Sequence, residues 1–158
     1  EYDEDNHVAL QRLGLLALNR GEKDAGIRYL RRAFYQDPDD PDTLIPLGNA
    51  LIREGEHDLA ISVLTRAAAL HSHKAHVLTN LGVACNALGW DAAAENQFRR
   101  ALKINGDDRE AAFNLALLLA SQEPDDMTEA KKLYEHARSL GIAADPGLDE
   151  FFEFQENE

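Results

Sequence analysis

The chain has 158 residues, of which 44% are hydrophobic, and a formal net charge of −13. This length suits one domain, and no apolar run is long enough to cross a membrane, so membrane insertion is not expected. Residues 1–6 carry four acids, residues 145–158 carry six, and all 16 Lys and Arg lie between these ends. A nearly neutral middle without a basic stripe argues against nucleic-acid binding.

The same residue types recur every 34 residues along the first two thirds of the chain. The recurring columns are Leu13-Gly14, Leu47-Gly48 and Leu81-Gly82; Gly26, Ala60 and Ala94; Leu30, Leu64 and Phe98; and Ala33, Ala67 and Ala101. A fixed period of this size predicts stacked supersecondary units rather than one globular core.

Each unit reads as two helices joined by a tight turn. In the first unit, Leu10, Leu13 and Ala17 follow the i, i+3, i+7 spacing of one helix face. A break at Gly21 follows, and a second helical stretch runs to Asp37. The small residues recur where the two helices must approach closely, and the large ones fill the space between them.

These residues resemble the tetratricopeptide repeat family, a 34-residue helix–turn–helix with a small–large–small signature. The resemblance implies an all-α fold: a right-handed α-solenoid of four helix–turn–helix repeats plus a C-terminal capping helix. In the family frame an acidic N-terminal extension occupies 1–6, and the repeats are 7–40, 41–74, 75–108 and a degenerate fourth at 109–144, followed by a capping helix and acidic tail at 145–158. The fourth repeat departs from the pattern with Leu115-Ala116 and two extra residues in its inner turn, at 123–126.

The C-terminal segment combines a helix start with aromatic residues. Asp145 can cap a helix whose first residue is Pro146, and Leu148, Phe151 and Phe152 then share one face. Because an open solenoid must cover its last apolar face, we expect 146–155 to pack on the fourth repeat. The alternative is a short linear segment that docks into the groove of a neighbouring molecule.

Motifs for catalysis, cofactors or metals are lacking in this sequence. His71, His73 and His76 could hold a transition metal, but no carboxylate or thiolate lies near them, so no metal or cofactor is expected. Trp90 is expected to pack at the turn into a second helix. Cys85, the only cysteine, excludes an intrachain disulfide and favours a reducing, cytoplasmic compartment. Without an initiator Met or a signal-like start, the chain is expected to be a mature form or an excised piece.

The resemblance also implies where a partner binds, because the first helix of each such repeat lines the concave groove. Carried onto this sequence, the groove residues are Arg12, Leu15, Asn49, Arg53, Asn80, Val83, Asn114 and Leu117, with Thr79 on the same face. A carboxamide both donates and accepts hydrogen bonds, so a row of Asn can hold the main chain of an extended peptide. An exposed asparagine on a helix also needs no ligand to explain it, and both interpretations stay open.

A carboxylate clamp of the kind that binds acidic chaperone tails in this family is not expected. In the two possible frames the clamp positions hold Gln11, Leu15, Pro46, His76 and Asn80, or Ile45, Asn49, Asn80, Glu110 and Asn114, so the cations are missing. The mixed apolar and amide groove suits an extended or helical segment with hydrophobic anchors.

The sequence therefore predicts a non-catalytic protein-interaction module, a scaffold or adaptor that binds a peptide segment of a protein partner. One alternative is a self-assembly module that packs end to end or through Phe151, Phe152 and Phe154, giving a homo-oligomer. Another is a targeting domain excised from a larger protein. The sequence does not name the partner.

Overall fold

The computed structural model describes residues 6–71, 74–122 and 127–155, with side chains as far as residue 152. Within these ranges the chain forms nine α-helices and no strand. The helices are α1 His7–Asn19, α2 Lys23–Gln36, α3 Pro41–Arg53, α4 His57–Leu70, α5 Ala75–Ala87, α6 Asp91–Ile104, α7 Arg109–Ser121, α8 Thr128–Ser139 and α9 Pro146–Gln155.

Successive helices pack as pairs, and the pairs stack in a row. Helix α1 packs on α2, α3 on α4, α5 on α6 and α7 on α8. Each first helix also contacts the second helix of the preceding pair and the first helix of the neighbouring pair. The prediction of an all-α helical-repeat solenoid is confirmed.

In each of the first three pairs, a glycine on the first helix lets the two helices of the pair approach closely. A Cβ added at Gly82 would lie 2.5 Å from the Phe98 ring, which is itself fully buried. The equivalent distances are 2.7 Å from Gly14 to Leu30 and 2.5 Å from Gly48 to Leu64. The small–large contact inferred from the repeating columns is therefore the point of closest approach within each pair.

The inner turns of the first three pairs share one geometry. Gly21, Gly55 and Gly89 adopt φ values of 78°, 78° and 72°, in the left-handed region that favours glycine. The residue after each glycine donates its N–H five residues back, as Trp90 does to the Cys85 carbonyl at 3.0 Å. This position places Trp90 at the surface with 51% exposure, so the prediction that it packs is wrong.

The first helices share a common frame when residues are counted from the N-cap. The N-caps of α1, α3, α5 and α7 are Asn6, Asp40, Lys74 and Asp108. Residues three, seven and ten positions after the N-cap form what we call the inter-repeat strip, because in the second to fourth pairs all of them except Thr43 share a hydrophobic cluster with residues of the preceding second helix. In those pairs the strip residues are Thr43, Leu47 and Ala50; Val77, Leu81 and Ala84; and Ala111, Leu115 and Leu118, each 7% exposed or less.

Leu13 departs from the expectation that it packs with Leu10 and Ala17. Leu10 and Ala17 are buried against α2, whereas Leu13 is 45% exposed. The reason is its position on the inter-repeat strip of the first helix, which no described helix precedes.

Helix α9 packs on the fourth pair and caps the stack, as predicted. Asp145 is its N-cap, accepting from the N–H groups of Gly147 and Leu148 at 3.0 Å each. Leu148 and Phe152, three and seven positions later, are buried in one cluster with Ala130 and Tyr134 of α8. Phe152 therefore lies inside this contact, and the side chain of Phe154 lies outside the described residues.

Hydrogen bonds and an ion pair hold this cap in place. The Tyr134 hydroxyl donates to Asp149 Oδ1 at 2.8 Å and accepts from the Asp145 N–H at 2.7 Å. Arg138 reaches the same Asp149 oxygen at 3.2 Å. Asp149 lies four positions after its N-cap, where α3 and α5 carry the buried Leu44 and Leu78 that face their own second helices. Since α9 has no described second helix to cover, a charged residue there is accommodated.

Candidate functional site

The predicted groove residues fall on three positions of the common frame, six, nine and thirteen residues after the N-cap. We call this set the groove stripe. Arg12, Asn80 and Asn114 lie at the sixth position; Leu15, Asn49, Val83 and Leu117 at the ninth; and Arg53 at the thirteenth. Spacings of three and four residues keep them on one side of each helix. Arg12, Arg53 and Leu117 are exposed and the other five are half-buried, so each of the eight side chains is at least partly accessible to solvent.

Two of the predicted asparagines meet across neighbouring pairs. Asn80 Nδ2 on α5 donates to Asn49 Oδ1 on α3 at 2.6 Å, in a half-buried position. The hydrogen bond therefore links the carboxamide at the ninth position of one pair, Asn49, to the carboxamide at the sixth position of the next pair, Asn80. The sequence did not predict this contact, because the two residues are 31 rather than 34 positions apart.

Asn114 occupies the same frame position as Asn80 but forms a different contact. Its Nδ2 donates to the backbone carbonyl of Glu110, one turn earlier in its own helix, at 2.7 Å. The difference follows from the neighbouring helix, where Val83 takes the place of Asn49 and offers no acceptor. Both asparagines keep their Oδ1 outside these two bonds.

Thr79 does not belong to the open groove. It is 2% exposed, and its hydroxyl donates to Asp108 Oδ2, the N-cap of α7, at 2.8 Å. The other carboxylate oxygen, Asp108 Oδ1, accepts from the Ala111 N–H at 3.0 Å. Thr79 thus ties the start of the fourth pair to the third, and its earlier placement on the ligand face is wrong.

Charged side chains are sparse along the groove stripe, and they differ between its two ends. Arg12 and Arg53 are exposed on the first two pairs. On the fourth pair the stripe itself has no charged residue among those named, and Glu110, two residues after the N-cap and outside the stripe, is exposed with its carboxylate 4.0 Å from the Arg109 guanidinium. The stripe therefore carries positive charge towards its N-terminal end, and amide and apolar groups along its middle.

The residues considered for other chemistry lie away from this stripe or outside the described ranges. Among the described residues no group of three His, Cys, Asp or Glu side chains could hold a metal ion, and His73 lies outside those residues. Cys85 is 5% exposed, and burial raises the pKa of its thiol above the ordinary value. None of the helices in the described ranges combines the length and apolar character needed to span a bilayer.

Comparison with curated proteins finds similarity to a larger protein. The BBSome complex member bbs-4 of Caenorhabditis elegans is 25% identical over 114 residues, which is 72% of this chain and 25% of that protein. The chain thus spans a quarter of the length of this relative.

Comparison with solved structures finds several helical-repeat proteins. A crystal structure of MamA protein is 25% identical, with a TM-score of 0.77 over 85% of this chain and 72% of that chain. MamA from residue 41 to its end, from Desulfovibrio magneticus RS-1, is 16% identical with a TM-score of 0.80 over 88% and 77%. YrrB, described as a TPR protein with an unusual peptide-binding site, is 18% identical with a TM-score of 0.78 over 88% and 71%.

The family comparison agrees with the stacked pairs and their repeating frame. A family model described as tetratricopeptide repeat matches residues 12–73 and, overlapping them, residues 45–95. Together these matches cover more than half of the chain. The chain belongs to the tetratricopeptide repeat family.

Proposed function

We propose that this protein is a non-catalytic interaction module that holds an extended segment of a protein partner along the groove stripe. Its family and its structural neighbours, one of them described as having a peptide-binding site, support a protein-interaction role. The groove stripe adds a row of apolar, amide and arginine side chains that are half-buried or exposed, which suits a segment with hydrophobic anchors.

The observation that carries the proposal is the Asn49–Asn80 pair. Once Asn80 Nδ2 donates to Asn49 Oδ1, the amide hydrogens of Asn49 Nδ2 and the Asn80 Oδ1 acceptor lie outside that bond. An extended peptide presents an N–H donor and a C=O acceptor at each residue. The pair therefore offers the main chain a matching donor and acceptor, already oriented by its own hydrogen bond.

Apolar groups beside this pair would bind side chains of the same segment. Val83 lies three residues after Asn80, and Leu117, 36% exposed, lies three after Asn114. A segment crossing these positions would bury leucine and valine surface while the carboxamides bind its backbone. Arg12 and Arg53 would favour an acidic residue at the end of the segment near the first two pairs.

Substitution of the two equivalent asparagines tests this proposal. Peptides selected from a random display library on the wild-type chain are titrated against the Asn80→Ala, Asn114→Ala double variant. We expect binding to weaken by about 1 to 3 kcal/mol, the range for lost hydrogen bonds in a partly desolvated site, with unchanged helicity by circular dichroism.

The matched control is Asn96→Ala on α6, a second helix, where the side chain only accepts an exposed hydrogen bond from Gln97. This variant should bind the selected peptides as the wild type does. If the double variant keeps full affinity while charge reversals on the second helices abolish binding, the groove stripe is not the binding surface.

A further inference from the structure

A cavity opens where α1, α2 and α3 meet, at the junction of the first two pairs. Its floor is apolar and consists of the half-buried Leu18 and the buried Ile27 and Ala50. Its volume is about 90 Å³, well above the roughly 10–15 Å³ that one water molecule requires. The helices of both pairs belong to the described residues, so the walls of this cavity are those of a complete junction.

One of the charged side chains that line the cavity has no acidic partner. Lys23 and Glu54 both line it, and Lys23 Nζ lies 3.0 Å from Glu54 Oε1, so these two charges offset each other. No carboxylate among the described residues lies within ion-pair distance of Arg53, the third charged residue of the lining. Arg53 is exposed and belongs to the groove stripe. The cavity therefore joins an apolar floor to a guanidinium that is available to a carboxylate.

The two later junctions indicate which side chain fits this cavity, because each has a leucine that the first junction lacks. Ten positions after the N-cap, α7 has Leu118 where α3 has Ala50, and Leu118 is 3% exposed in one cluster with Phe98 of the preceding second helix. Fourteen positions after the N-cap, the third pair has the half-buried Leu88 where the second pair has Glu54. An aliphatic side chain of leucine size is thus what the chain itself places at such a junction.

We propose that this cavity binds an aliphatic side chain of the partner segment, and that Arg53 binds an acidic side chain two residues away from it. The inference rests on the proposed function and specifies the residues that the groove stripe selects near the first two pairs. Side chains two residues apart point to the same side of an extended segment, so both can face the protein. The preferred segment therefore carries Leu, Ile or Val and, at that spacing, Asp or Glu.

The probe is the peptide acetyl-Leu-Gly-Asp-amide, titrated into the full chain and followed through amide shifts in NMR spectra. We expect saturable shifts at Leu18, Ile27 and Ala50, with a Kd on the order of 1 mM. Alanine in place of the leucine of the peptide should weaken binding at least about fivefold, because most of the buried apolar area is lost. Asparagine in place of its aspartate should weaken binding about two- to fivefold, as exposed ion pairs contribute little.

Two variants of the protein separate the apolar contact from the ion pair. Ala50→Leu introduces at this junction the residue that α7 has at the same position, and it should abolish the shift at Ile27. Arg53→Gln keeps the cavity and should remove the preference for the aspartate peptide over the asparagine peptide. Because Arg53 is exposed, this second test stands even if Ala50→Leu does not fold. The matched control is Lys103→Gln, which removes an exposed cation from α6 and should change neither the affinity nor the preference.

Three results would overturn the inference. The first is a titration without saturable shifts at Leu18, Ile27 and Ala50. The second is equal affinity for the leucine and alanine peptides. The third is a set of nuclear Overhauser contacts that place residues 1–5 or 153–158 in the cavity, which would make an end of this chain the occupant.

The failure of this inference can be told apart from the failure of the proposed function. If the library-selected peptides lose affinity for the Asn80→Ala, Asn114→Ala variant but contain no aliphatic residue with an acid two residues away, only the cavity is wrongly assigned. If the leucine peptide binds the cavity as described while the selected peptides ignore both asparagines, only the groove stripe is wrongly assigned.

Discussion

The contact between Gly82 and Phe98 gives a quantitative test of how closely two helices of a repeat approach. In Gly82→Ala the new Cβ would lie 2.5 Å from one ring carbon of Phe98 and 2.7 Å from another. The ring is fully buried and cannot move into solvent, so the helices must separate or the ring must leave its rotamer. Overpacking of this kind costs about 1 to 3 kcal/mol.

A second effect of the same substitution has the opposite sign. Alanine is favoured over glycine within a helix by about 0.5 to 1 kcal/mol. The steric term is larger, so we expect Gly82→Ala to lower the free energy of unfolding by about 1 to 2 kcal/mol. For a chain of this size that corresponds to a fall in Tm of roughly 2 to 8 °C.

Urea unfolding followed by far-ultraviolet circular dichroism measures this difference. Gly106→Ala is the control, because a Cβ there meets nothing within 4 Å and φ is not in the left-handed region. It should leave the unfolding midpoint unchanged or raise it slightly, by restricting the unfolded chain. If Gly82→Ala is as stable as the wild type or more so, the helices do not approach as closely as described.

Two further predictions concern the C-terminal half. Tyr134→Phe removes the hydroxyl that bonds both Asp145 and Asp149. The backbone amides of residues 146–152 should then exchange hydrogen at least about fivefold faster, which corresponds to about 1 kcal/mol per hydrogen bond. The amide exchange rates in α1 should not change. The Arg99 guanidinium binds Glu129 through two hydrogen bonds, of 2.6 and 3.0 Å, and lowers the pKa of that carboxyl below its ordinary 4.5. Because folding lowers the pKa of Glu129, its ionised carboxylate stabilises the folded chain at pH values above its ordinary pKa, and this stabilisation is lost as the pH falls through the pKa of the folded state. The free energy of unfolding of Arg99→Met, obtained from urea unfolding, should be less than about 1 kcal/mol below that of the wild type at neutral pH and should become equal to it in acid. A difference that stays the same at every pH would contradict this reasoning.

The fold could be predicted from the sequence because its information repeats. The two residue types of the Gly82–Phe98 contact recur in three repeats at a fixed period, so their agreement is not a coincidence. The period does not indicate where a given repeat lies along the stack. Leu13 and Leu47 stand in the same column, yet one is exposed and the other buried, because burial on the inter-repeat strip depends on a neighbour. Trp90 is likewise exposed because of its position directly after the turn glycine, although its side chain is hydrophobic.

The sequence predicts which helix face carries the groove stripe, but it does not predict the contacts that the stripe residues make. The Asn49–Asn80 bond joins different positions of two pairs, so its formation depends on the angle and offset at which neighbouring pairs pack. Thr79 was placed on the ligand face by helical spacing, but a residue at that edge can turn towards the next N-cap when an acceptor such as Asp108 stands there. The useful signal is a hydroxyl 29 residues before a capping carboxylate.

Pro46 lies inside α3, in its second turn. It stands at the frame position that Asn80 and Asn114 occupy in later pairs. Because proline has no N–H, the carbonyl of Asp42, one turn earlier on the same side, loses its usual intrahelical donor. That oxygen is fixed by the main chain, unlike the rotatable carboxamides further along. On the side of the second pair that carries the groove stripe, the main chain thus has a fixed acceptor without its usual helical donor, which water or the N–H of a bound segment can fill, and a side-chain substitution at Asp42 would leave it in place.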